Sequence, residues 1–176
     1  MNKIIGILGM QGAIAEHQEI LLQIPHTKTR IVKTAKDLDC IDGLILPGGE
    51  STAIGKLLDY FSLKEILQQK IISGLPVFGT CAGLILLAKN IENETNTHLA
   101  TMDITVKRNG YGSQLDSFST NLLIPTIDKN MPIPLVFIRA PYITKTDKDV
   151  QVSISKYAAN WRCNTPCSSL RVLILF

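Results

Sequence analysis

Residues 76–84 read PVFGTCAGL, and the fold turns on how this stretch is read. A short apolar run closed by glycine reads as a buried strand, and LILLAKNI, which follows Gly83, reads as a helix. The join, Gly79-Thr80-Cys81-Ala82-Gly83, has the G-x-C-x-G form of a sharp strand-to-helix turn. In such a turn glycines clear the neighbouring backbone and the central side chain stands at the carboxyl end of the strand. A thiol placed before a helix amino terminus is expected to favour the thiolate, its reactive form. The plain alternative is a buried cysteine in a tight turn, a common place for that residue. Two glycines with a strand on one side and a helix on the other favour a nucleophile at Cys81.

Working outward, the same alternation recurs. IIGIL at 4–8 ends in Gly9 and leads to a helical pattern from Ala13 to Leu22; TRIVK at 29–33 reads as a second strand. GLILPGG at 43–49 is an apolar run closed by a Pro-Gly-Gly break, after which Ser51 and Thr52 open one helical pattern running to Ser73-Gly74. Strands of nearly continuous hydrophobicity between amphipathic helices predict an α/β fold, a three-layer, doubly wound, mostly parallel sheet with helices on both faces. From about residue 100 the texture changes: MDITVKRNGYGSQLDSF alternates apolar and polar residues with turn signals, and PLVFIRAPYI gives a further strand, so antiparallel strands are expected after the parallel core.

A chain of 176 residues suits one core, and a single domain over 1–176 is expected. At 45% hydrophobic and 19% charged it is too apolar for disorder, and its apolar runs are too interrupted to span a bilayer. The net charge of +3 is spread without a dense basic block, which argues against nucleic acid as a partner. The first ten residues read as a buried strand rather than a leader, and a cytoplasmic location is expected. Cys40, Cys81, Cys163 and Cys167 match no disulfide framework, and the C-x3-C pair lacks further ligands, so no metal is expected.

A second loop, LPGGEST at 46–52, also joins a strand to a helix. Its backbone N–H groups, with that of Ala82, are placed to stabilise an oxyanion beside Cys81, because both loops fall at one edge of a parallel sheet. Read alone, the loop is an ordinary turn capped by Ser51 or Thr52. Arg108 and Arg139 each offer a planar fork of donors that suits a carboxylate, although either by itself reads as a surface ion pair.

Five segments together carry a family resemblance: GILGMQGAIAEH (6–17), GLILPGGEST (43–52), PVFGTCAGLILLAK (76–89), MDITVKRNGYGSQLDSF (102–118) and VFIRAPYI (136–143). In this order they resemble the glutaminase subunit of pyridoxal 5'-phosphate synthase, a class I, triad-type glutamine amidotransferase of flavodoxin-like fold. The resemblance implies that Cys81 attacks the side-chain amide of L-glutamine to give a glutamyl thioester and ammonia, and that water then releases glutamate. It implies that ammonia passes to the synthase subunit, the expected partner, and that no cofactor is needed. Gly48, Gly49, Glu50, Arg108, Ile138 and Arg139 would hold the glutamine, and the N–H groups of Gly49 and Ala82 would form the oxyanion hole. The Gln11-Gly12-Ala13 loop would lie near that hole and the partner interface.

The resemblance covers about residues 1–150, and 151–176 form a divergent tail, truncated or altered. The family continues to a Phe-His-Pro-Glu segment whose histidine and glutamate complete the triad; here no histidine follows His98, so neither is found. His17, His26 and His98 each read as surface or interface residues. The apolar RVLILF of the tail is expected either to substitute for a strand or to stay exposed. A chain that keeps the docking or glutamine-binding surfaces without turnover is the alternative reading.

Overall fold

A computed structural model of the chain describes residues 2–108, 118–124, 128–137, 140–148, 150–152, 161–163 and 172–175. Its centre is a five-stranded sheet in the order β12-β4-β3-β1-β2, formed by β1 (Lys3–Leu8), β2 (Thr27–Val32), β3 (Gly43–Leu46), β4 (Val77–Thr80) and β12 (Val172–Leu175). Every pair in it is parallel. The connections are helical: α1 (Ile14–Leu22), α2 (Ser51–Tyr60), α3 (Lys64–Ile72) and the short α4 (Ala82–Leu87). The parallel sheet covered by helices is the α/β fold expected from the strand texture, and GLIL of β3 is buried at every position, as a strand covered on both sides must be. Leu8, Leu44, Leu46, Ile54, Leu58 and Leu84 belong to one buried cluster that binds sheet to helices.

Three elements depart from the expected pattern. The long helix after Ser51 is two, because α2 closes at Ser62, whose φ of 52° is left-handed. Ser62 N–H donates to the Asp59 carbonyl and Leu63 N–H to the Leu58 carbonyl at 2.8 Å, the closure that glycine usually provides at a helix end. Next, α4 stops at Leu87, and Ala88–Ile91, expected as helix, is β5. The Leu86 carbonyl, left over at the helix end, accepts from Leu99 and Ala100 N–H instead. Finally, the later strands are mixed rather than purely antiparallel: β5 pairs parallel with β6 (Met102–Lys107), and β6 antiparallel with β9 (Tyr142–Thr146). β7 (Phe118–Leu123) and β8 (Pro132–Phe137) form an antiparallel ribbon, as do β10 (Val150–Val152) and β11 (Trp161–Cys163).

Of the tail segment RVLILF, the described residues Val172–Leu175 take the first of the two expected courses. Val172–Leu175 adds to the sheet as β12, in parallel register with β4 from Val172 opposite Val77 to Leu175 opposite Thr80. Among the described residues no helix is long and apolar enough to cross a membrane.

Candidate active site

The end of β4 folds as the G-x-C-x-G stretch requires. Cys81 has φ 47° and ψ −100°, outside the regions a non-glycine residue normally occupies, and helix α4 begins at the next residue. Such a backbone costs on the order of 1–3 kcal/mol and persists only where the surroundings over-determine it. They do so here: every residue of α4 is buried. A Cβ on Gly83 would come within 2.4 Å of the Leu46 carbonyl oxygen in β3, and one on Gly79 within 3.1 Å of the Gly83 backbone. The two glycines therefore let α4 close onto β3 and β4, and Cys81 is left half-buried at the carboxyl edge of the sheet.

The electrostatics correct one expectation. Burial pushes the Cys81 thiol above its ordinary pKa, and the Ala82 amide N–H, which donates toward the sulfur, only partly offsets this. A helix of six residues has little dipole to contribute, so desolvation dominates and the resting group is the thiol, not the thiolate. Since thiolate is the reactive form, Cys81 alkylation by iodoacetamide should be slow at neutral pH and keep accelerating beyond pH 9.0, the ordinary thiol value. Mass spectrometry of the modified peptide checks this, and a rate already on its plateau at pH 7 would contradict it.

The second loop lies against the first. A Cβ on Gly48 would sit 3.5 Å from the Cys81 Cβ. On its other side the Gln11–Ala13 turn is fastened to it: Ala13 N–H donates to the Gly48 carbonyl at 2.9 Å, and Glu50 N–H donates to Gln11 Oε1 at 2.7 Å. Gly12, at φ 113°, packs so closely that a Cβ there would meet the Gly48 carbonyl oxygen at 2.0 Å. With that carbonyl turned toward Ala13, the Gly49 N–H across the trans peptide faces away from the Gln11–Ala13 turn.

Glu50, and not Ser51 or Thr52, caps α2. Its carboxylate accepts from Thr52 N–H at 3.0 Å and Ala53 N–H at 2.6 Å. Partial burial acts to raise its pKa, but these amides, the Thr52 hydroxyl and Arg108 outweigh it and hold the carboxyl below the usual range. Arg108, just past β6, donates to Glu50 Oε1 at 2.9 Å and to the Thr52 hydroxyl, so it reaches the mouth of the same loop. Ile138 and Arg139 lie outside the described residues.

Of the histidines, His26 is exposed as expected, and the other two are not simple surface residues. His17 Nε2 is 3.2 Å from the Thr80 hydroxyl, next to the cysteine, and its ring meets Phe78 edge-on at 6.4 Å between centroids. Burial lowers its pKa, against a smaller opposing effect of Glu16, so the ring is neutral near pH 7. His98 packs on α2 where Gly55 leaves room; a Cβ at Gly55 would be 2.1 Å from its Nδ1. Neither contact was legible from sequence position.

Comparison with known proteins shows the family. The model of the SNO glutamine amidotransferase family matches residues 7–162. The chain is 52% identical over 150 residues to pyridoxal 5'-phosphate synthase subunit PdxT of Ruminiclostridium cellulolyticum, covering 85% of this chain and 79% of that protein. It is 52% identical over 148 residues to the subunit of the same name from Clostridium botulinum (strain Loch Maree / Type A3), covering 84% and 76%. Among solved structures, one described as a glutamine amidotransferase superposes with a TM-score of 0.78 at 33% identity, over 97% of this chain and 87% of its own. The match over most of the chain shows that it belongs to the SNO glutamine amidotransferase family.

Proposed function

We propose that this chain is the glutaminase subunit of a pyridoxal 5'-phosphate synthase, hydrolysing L-glutamine to L-glutamate and ammonia for a synthase subunit. The observation that carries the reading is the joining of the Cys81 turn to the Gly48–Glu50 loop in a member of a glutamine amidotransferase family. Cys81 is the nucleophile: its sulfur attacks the amide carbon, and a backbone N–H pair from Gly49 and Ala82 holds the resulting oxyanion. Gly48, Gly49, Glu50 and Arg108, with Ile138 and Arg139, hold the amino acid, Arg108 pairing with its carboxylate. The synthase subunit docks where the Gln11–Ala13 turn meets this loop, so turnover depends on the complex. The whole chain, 1–176, works as one domain in the cytoplasm.

A thiol that rests protonated needs a base, and no residue after His98 supplies the family's histidine. Among the described residues His17 is the imidazole whose hydrogen bond reaches the cysteine turn, through Thr80. The test is glutamate release from L-glutamine by the purified chain mixed with its synthase subunit. Release that requires Cys81 supports the reading. A folded complex that binds glutamine and releases none supports a docking or binding protein instead.

A further inference from the structure

The Arg108 guanidinium is already occupied by a residue from elsewhere in the fold. Its Nη2 donates to Glu50 and Thr52, and its Nη1 to Thr52 at 3.0 Å and to both oxygens of Glu94 at 3.2 Å. The two acidic partners differ. Glu50 is committed to the end of α2, where it also receives the Thr52 and Ala53 amides. The Glu94 carboxylate has no other hydrogen-bond donor among the described residues and stays partly open to solvent, with 36% of its side chain exposed. Glu94 is nonetheless placed by the backbone. It closes a tight turn after β5 in which Asn93 takes φ 60° and Glu94 N–H donates to the Ile91 carbonyl. Glu92 N–H ties this turn at 2.8 Å to Val106, in the strand that ends just before Arg108.

From this arrangement we infer that Glu94 sets the site's affinity for amino-acid carboxylates by standing in for one on Arg108, so that substrate must displace it. The inference rests on the reading that Arg108 receives the carboxylate of glutamine. Around one guanidinium stand two carboxylates, so the cluster carries a net charge of −1 and repels a third. An incoming carboxylate finds both Nη atoms engaged, and the exchangeable ligand is Glu94. Partly exposed ion pairs of this kind are weak, which keeps the exchange possible at substrate concentrations.

The experiment is calorimetric titration of L-glutamine into the full chain complexed with its synthase subunit, with Cys81→Ala in all samples to block turnover. Glu94→Gln and Glu94→Ala are each compared with the Glu94 parent. Both should bind glutamine about three- to fivefold more tightly, the scale of a partly exposed ion pair. L-glutaminol, which has an alcohol in place of the carboxylate, should bind all three equally. Unchanged or weaker glutamine binding in either variant overturns the inference, because Glu94 would then be orienting Arg108 or holding the substrate ammonium. An equal gain for glutaminol overturns it too. Failure of every sample, parent included, to bind glutamine removes the glutaminase reading itself and this inference with it, whereas binding indifferent to Glu94 removes this inference alone.

Discussion

Glutamate release in the presence of the synthase subunit should fall to background when Cys81 is replaced by alanine. Loss of a nucleophile that acts as a unit with its proton acceptor removes on the order of a million-fold in rate. Among the described residues Thr80 carries the adjacent hydroxyl, and that oxygen is engaged with His17. The change should leave the fold intact, because alanine keeps the Cβ that Gly48 faces and removes only a half-buried sulfur. Cys40→Ser is the matched control. Cys40 precedes β3 at the amino edge of the parallel strands, whereas Cys81 follows β4 at the carboxyl edge, so an effect seen with Cys81→Ala and not with Cys40→Ser belongs to the carboxyl edge and is no general consequence of removing a thiol. Release that survives Cys81→Ala with a normal melting curve would reject the cysteine as nucleophile.

Gly83→Ala should unfold the protein or come close to it. The added methyl would lie 2.4 Å from the Leu46 carbonyl oxygen and 3.1 Å from the Leu46 Cβ, and neither can swing aside. Leu46 is fully buried in β3, and α4 is buried along its whole length. Overpacking of a rigid core costs about 1–3 kcal/mol and more where backbone must move. We expect about 3 kcal/mol or more, a large share of the 5–15 kcal/mol typical of a domain. In urea, with a slope of about 1–3 kcal/mol/M, the midpoint should fall by 1 M or more. A midpoint within about 0.2 M of wild type would show that α4 can shift away from β3 at little cost, against the close packing of Gly83 on Leu46.

Local signals in the sequence were enough for the parts of the fold that depend on them. Gly74, at φ 104°, ends α3 where the helical pattern stops, as a left-handed glycine should. Ser62 does the same for α2, but a serine carries no such mark, and two helices read as one. AGLILL is buried on every side, which erases the helical period; its end at Leu87 was therefore invisible, and β5 was hidden in the same run. The cysteine turn was legible because its glycines lie within two residues of it. Its resting charge was not, since burial is decided by β3 and α4 together. Contacts between distant residues were beyond reach: His17 meets Thr80 across 63 positions, and Arg108 meets Glu50 across 58. The charged cap on α2 was missed for another reason, because Ser51 and Thr52 are the usual capping residues and Glu50 stands just before them.

The pairing of β12 with β4 has a consequence for how the protein is made. β4 and its cysteine turn leave the ribosome long before Val172, and at about 5–20 residues per second the interval is several seconds. Through that time β1, β2 and β3 can assemble beside β4, yet the outer edge of β4 keeps its N–H and C=O groups unmatched, next to an apolar helix. A nascent chain stalled anywhere before residue 172 therefore presents an open strand to its neighbours. Translation speed, as much as sequence, sets how long that edge is available to chaperones or to other growing copies.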